Sequence, residues 1–341
     1  MEFAFTFRGD LDKNRVVAIC RQAEAADFDY AWFFDSHVLW RDLYPQMAVA
    51  MEHTSKLRFG PCVTNPQIRE WSVAGSLFGA LALQSDGRFD LGVGRGDSSV
   101  RVVGKRPATV ARMEEFCSAM KDLLRGRSIQ YENRPEPVRF DWTKKYDLPI
   151  WVAGYGPKAL AAAGRVGDGL IVQLAEPSLC RWMGDAAKVS GGDLGRDMTK
   201  FRVMACAPVW VGERRIGLAQ TKWFPALVGN HVADIVKWYG KDTIEVPKAL
   251  TSYVQGRKGS GADEGYDYQQ HTQMDDENSY YVGDETTEAF CLIGSPEDHI
   301  EKLRKLEAAG VTQFNIYLCS GEEERQIAEY GEHIIPHFKK N

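Results

Sequence analysis

Asp35-Ser36-His37 closes a short apolar run, YAWFFD, and sets a carboxylate and an imidazole two residues apart. Histidine titrates near neutrality without help, so such a group at a strand end can act as acid or base. The plainer alternative is a strand-end Asp capping the next turn, with His37 on the surface. Gly94-Arg95-Gly96-Asp97 ends a second run, FDLGVG. Glycines there let a backbone approach a planar ring or a phosphate with no Cβ in the way, and Arg95 or Arg101 could pair with an anionic tail. Gly154-Tyr155-Gly156-Pro157-Lys158 leads into ALAAAGRVG, and Pro157 suits the first turn of a helix. Open N–H groups at a helix start, aided by the helix dipole, make a phosphate site. A third polar turn, Pro61-Cys62-Val63-Thr64-Asn65-Pro66, follows LRFG. Taken singly, each of these is also an ordinary tight turn, with Cys62 a small buried hydrophobe.

Other chemistries find little support. His333 and His337 are four apart, but Pro336 between them spoils the helix that would align two metal ligands. No cluster of His, Asp and Glu has metal spacing, so no metal is expected. A nucleophile elbow, GxSxG, is absent. Trp40, Trp71 and Trp223 could line an apolar pocket, although nine tryptophans in 341 residues read first as packing.

The elements that must carry these residues alternate. EFAFTF, YAWFFD, LRFGPCV, FDLGVG, LPIWVAG, DGLIVQL, FRVMACAPVWVG and TQFNIYL read as eight strands. Helical patterns stand between most of them, including SPEDHIEKLRKLEAAGV with Ser295 as its cap. Continuous apolar strands joined by helices imply a parallel sheet covered on its outside. Eight such units imply an α/β fold of the (β/α)8 TIM-barrel type. An open dinucleotide-binding sheet is disfavoured, because FRGDLD and not GxGxxG follows the first strand. In a barrel, the polar turns at the strand C-termini open onto one site. The chain is expected to form one domain, 1–341. Residues 253–284, polar and rich in Gly, Asp and Gln, are expected to be a lid insertion near that mouth. A shorter insertion covers 127–146.

A net charge of -5 argues against a nucleic-acid or anionic-membrane partner. No apolar stretch approaches the roughly 20 residues that span a bilayer, and the start lacks a secretory signal pattern. Seven scattered cysteines without a CxxC pair suit reduced thiols, so a cytoplasmic protein is expected.

The block PCVTNPQIREWSVAGSLFGALALQSDGRFDLGVGRGD, with VTNP before a helix and GRGD after the next strand, resembles the bacterial-luciferase-like superfamily. Within it, the likeness is nearest to enzymes that use the deazaflavin coenzyme F420, such as methylenetetrahydromethanopterin reductase. The resemblance implies hydride transfer between the cofactor and a small organic substrate. It places His37 and Asp35 at the reacting edge, a cis peptide behind the ring at Cys62-Val63, and cofactor contacts at Cys62, Val63, Thr64, Asn65, Gly94, Arg95, Gly96 and Asp97. The cofactor phosphate falls to Gly154, Tyr155, Gly156, Pro157 and Lys158. Ser36 departs from the Asp-His pair usual in such enzymes and leaves open which of Asp35 and His37 faces the cofactor. Two other readings remain: an FMN-dependent monooxygenase served by a partner flavin reductase, or a non-catalytic flavin-binding protein. A homodimer or higher homo-oligomer is expected.

Overall fold

The computed structural model describes residues 1–131, 134–143, 145–228, 279 and 282–339. Among them are nine strands: β1 (Glu2–Phe7), β2 (Tyr30–Phe33), β3 (Arg58–Pro61), β4 (Leu91–Val93), β5 (Ile150–Ala153), β6 (Gly169–Val172), β7 (Arg202–Val211), β8 (Leu292–Gly294) and β9 (Gln313–Leu318). All pairings in the sheet are parallel, in the order β3-β2-β1-β9-β7-β6-β5-β4. Parallel bridges from Phe59 to Phe89 and from Thr64 to Val93 bring β3 against β4 and close the ring. The result is the eight-stranded (β/α) barrel expected from the alternating pattern.

The strands read as near-continuous apolar runs because helices cover their outer faces while their inner faces fill the barrel. Phe3, Phe5 and Phe7 of β1 are buried, and so is Thr6, whose hydroxyl donates to Asn315 Oδ1 at 3.0 Å. Gln313, Asn315 and Tyr317 share one face of β9 by the two-residue period of a strand, and they climb the barrel interior in that order. Between β3 and β4 the ladder is interrupted at the turn holding Cys62 and Val63. The backbones come so close there that a Cβ on Gly92 would lie 2.2 Å from the Pro61 carbonyl oxygen.

Two features differ from the sequence expectation. β7 runs ten residues, and only its first part lies in the ring; Val209–Val211 pairs outside it with β8. β8 is three residues long, too short to show a period. The expected lid, 253–284, lies outside the described residues except for Ser279 and 282–284. The helix at Pro296–Ala308 starts as its sequence requires. Ser295 Oγ accepts from Asp298 N at 3.3 Å, and Asp298 Oδ2 accepts from Ser295 N at 2.8 Å.

Candidate active site

The strand C-termini surround one cleft. Asp35 after β2, Cys62 and Val63 after β3, Gly94, Arg95, Gly96 and Asp97 after β4, and Gly154, Tyr155 and Gly156 after β5 all border it. The four turns, distant in sequence, therefore form one wall. Gly96 takes φ +90°, a conformation that keeps the turn after β4 free of a side chain. The peptide between Cys62 and Val63 is cis, at the bond the resemblance assigned.

Five expected residues stand elsewhere. His37 is exposed and is not part of the cleft wall. The backbone explains this: Leu39 N and Trp40 N both donate to the Ser36 carbonyl at 3.0 Å, and the turn so closed carries His37 outward. Ser36 takes the inward place, its hydroxyl 2.9 Å from that of Ser98. Thr64 and Asn65 are buried behind the wall. Thr64 N and O bond to β4, while Asn65 Nδ2 donates to Ser99 Oγ at 3.0 Å. Pro157 and Lys158 are exposed and face an outer groove shared with Arg95.

Sequence reasoning passed over Phe34, Gln173 and Tyr317 of the cleft and read Trp40 first as packing. Phe34 and Trp40 stack with ring centres 5.3 Å apart, and Phe34 meets Tyr317 edge-on at 5.1 Å, which gives the cleft an aromatic side. Tyr155 and Gln173 exchange two hydrogen bonds. The phenol donates to Gln173 Oε1 at 2.9 Å and accepts from Gln173 N at 3.0 Å. Gln173 Nε2 then donates to Tyr317 Oη at 3.1 Å. Burial pushes both phenols well up, so they remain neutral hydrogen-bonding groups at physiological pH. Under them, Asn315 Nδ2 lies 3.9 Å from Cys62 Sγ and 3.7 Å from Cys206 Sγ. Contact with the Cys206 thiol, together with burial, pushes Cys62 well up. A thiol held protonated is no nucleophile.

Asp35 is the carboxyl group buried in the wall. Burial raises its pKa, and the charge of Arg69 works against that rise. Arg69 Nη1 donates to Asp35 Oδ2 at 2.7 Å, and Nη2 donates to Asp42 Oδ2 at the same distance. The arrangement can thus hold a planar ring against glycine-lined turns, present aromatic faces and neutral donors to a second molecule, and take or give a proton at Asp35.

The family model for luciferase-like monooxygenases matches residues 4–313. This chain belongs to that family. It is 25% identical to the 5,10-methylenetetrahydromethanopterin reductase of Archaeoglobus fulgidus, over 99% of this chain and 100% of the relative. It is 31% identical to the F420-dependent hydroxymycolic acid dehydrogenase of Mycobacterium tuberculosis, over 54% of this chain and 56% of that one. Among solved structures, the coenzyme F420 dependent tetrahydromethanopterin reductase of Methanopyrus kandleri superposes with a TM-score of 0.76. Its sequence is 21% identical and 99% of each chain is covered, so what the two demonstrably share is the fold. Among the described residues, no helix is long and apolar enough to cross a membrane.

Proposed function

We infer that the cofactor of this luciferase-like oxidoreductase is F420, and that the cleft holds it beside a small organic substrate. The observation that carries the reading is the convergence of the turns after β2, β3, β4 and β5 on one cleft. It is supported by the F420-dependent names among the relatives that align with the chain.

The residues present fit such a group. Among the described residues, a side chain built on Gly156 meets no atom within 4 Å, so the packing they form does not need a glycine there. Its absence keeps the cleft open beside the start of the helix Pro157–Val166, which no side chain caps; Ala159 N and Leu160 N bond to the Gly156 carbonyl, so the Lys158 N–H is the first-turn donor left for a phosphate. When bound, F420 supplies hydride exchange at its C5, and the protein supplies position and electrostatics. Gly94, Gly96 and Gly154 let their turns pack closely, since a Cβ would lie 2.9 Å from Val63, 2.4 Å from Val100 and 2.8 Å from Ala159 respectively, and the turns so packed present backbone to the ring. Tyr155, Gln173 and Tyr317 orient the substrate through neutral hydrogen bonds. Phe34 and Trp40 keep water from one side, and Asp35 holds or moves the proton that accompanies the hydride.

Absorbance titration of the purified protein with F420 and with FMN tests this. Saturable F420 binding with no comparable FMN binding is expected. The reverse would favour an FMN-dependent monooxygenase supplied with reduced flavin by a partner reductase, as the family's description allows.

A further inference from the structure

We propose that Arg69 is the positioning residue of the cleft: clamped between Asp35 and Asp42, it fixes the Asp35 carboxylate by one oxygen and leaves the other for a hydrogen-bond donor on the ligand. The ligand's part in this rests on the cofactor reading above, whereas the clamp does not depend on it.

Three contacts hold the guanidinium. Its two terminal nitrogens each reach a different carboxylate at 2.7 Å, and its central carbon lies 4.6 Å from the centre of the Tyr44 ring. Asp42 is itself fixed, because its Oδ1 accepts from Tyr44 N at 3.1 Å and so caps the helix Leu43–Glu52. Arg69 therefore ties the loop after β3 to the end of β2 and to the start of that helix. A planar fork can bridge two carboxylates while lying on an aromatic face; a lysine ammonium cannot do both. The side chain of Asp35 is almost fully enclosed, that of Arg69 is 16% exposed, and that of Asp42 is half exposed. The working contact is thus the buried one, and Asp42 orients the arginine from the rim.

Among the described residues, Asp35 Oδ1 and the Tyr44 hydroxyl are both buried and neither makes a hydrogen bond of ordinary geometry, although the Thr64 side chain stands beside both. Two unsatisfied polar atoms beside one buried ion pair are unusual in a finished core. Because Asp35 borders the cleft, a ligand N–H or O–H can complete it there. The groups facing Asp35 are Arg69 and Thr64 from the segment after β3, and Asp42 and Tyr44 from the start of the helix. Arg95, Asp97 and Arg101 line the same cleft from the turn after β4. Burial pushes the Asp35 carboxyl up, Arg69 pulls it back, and Asp42 adds a smaller push upward. Removing Arg69 would leave the Thr64 side chain as the counterweight to those two upward influences, and Asp35 would keep its proton to higher pH.

The test uses Arg69→Met and Arg69→Lys in the full chain. Asp35 is followed by carbon-13 NMR in ligand-free protein, with Asp35→Asn identifying its signal, and F420 affinity is measured across the same pH range. In Arg69→Met, the Asp35 midpoint should move to higher pH. F420 binding should weaken about tenfold near neutrality, the loss of one charge-assisted hydrogen bond, and recover as pH rises. Arg69→Lys should restore most of the midpoint but only part of the affinity. An unmoved midpoint in a folded variant, with affinity reduced equally at every pH, would make Arg69 merely structural and overturn the proposal. Should Arg69→Met fail to fold, an unmoved midpoint in Arg69→Lys together with wild-type affinity would overturn it too. A moved midpoint in a protein that never binds F420 would uphold the clamp and sink the cofactor reading instead.

Discussion

Ser36 Oγ and Ser98 Oγ lie 2.9 Å apart, so the turn after β2 and the turn after β4 are joined by a hydroxyl pair at the edge of the cleft. That bond, together with the backbone turn closed on the Ser36 carbonyl, sends Ser36 inward and His37 outward. Mutation should follow the geometry. His37→Ala should leave F420 affinity and turnover within about twofold of wild type, as expected for an exposed side chain away from a site. Ser36→Val breaks the pair and puts methyl groups into the wall, and should weaken F420 binding about tenfold. Titration and steady-state rates on both variants decide this; a large loss in His37→Ala would return the imidazole to the mechanism.

The comparison of those two residues shows what the sequence could and could not supply. The barrel was legible because buried parallel strands read as near-continuous apolar runs, as GLIV of β6 does. The site's turns were legible because glycine and proline act locally. Orientation within Asp35-Ser36-His37 was not, since a loop has no period to say which side chain points in. Arg69, Gln173 and Tyr317 were missed for another reason. Their partners lie far along the chain: Arg69 bonds 34 residues back to Asp35, and Gln173 reaches 144 residues on to Tyr317. β8 escaped because three residues carry no pattern, and only its pairing with the outer end of β7 defines it.

Gly156 offers a change that separates binding from folding. Its φ of -85° and ψ of 161° suit any residue, and among the described residues no atom lies within 4 Å of a Cβ built there. Gly156→Val should therefore unfold at nearly the wild-type temperature while losing at least tenfold in F420 affinity. A phosphate-free analogue should lose less if the phosphate sits at this helix start, because the methyl groups crowd it there. Equal losses for both ligands would move the phosphate away from this turn.

The opposite end of the barrel should govern stability alone. Asp90 is fully buried at the N-terminal ends of the strands. Its Oδ1 accepts from Arg58 Nε at 3.0 Å, and its Oδ2 accepts from Trp151 Nε1 at 2.9 Å, from Tyr30 Oη at 3.3 Å and from Arg202 Nη2 at 3.4 Å. Asp90→Asn would leave two guanidinium groups without their shared counter-charge. It should cost about 3 kcal/mol in urea unfolding, while F420 affinity of the folded protein stays unchanged because the cleft is at the other end. A loss below about 0.5 kcal/mol would mean that solvent already screens both arginines.

Acid should weaken the protein through His299, which is buried between the helix Pro296–Ala308, the outer part of β7 and Tyr330. Its Nε2 faces the Trp210 carbonyl oxygen at 3.2 Å, and that oxygen can only accept, so Nε2 carries the proton. Nδ1 is then the acceptor for the Tyr330 hydroxyl at 2.9 Å. A second proton would turn that hydroxyl from donor to acceptor and place a charge in a buried site, and burial accordingly lowers the pKa from 6.5 to about 4. Between those two values the unfolded chain binds a proton that the folded chain refuses. Stability from this group is therefore complete above about pH 6.5 and declines as pH falls toward 4, by about 3 kcal/mol over the window. His299→Gln can still donate to the Trp210 carbonyl but does not titrate, so it should be less stable at neutral pH and lose stability more slowly on acidification. Urea unfolding of both proteins at several values between pH 4 and 7 measures the two slopes. Parallel slopes would show that His299 gains no proton on unfolding in this range and would place the acid sensitivity in the carboxylates.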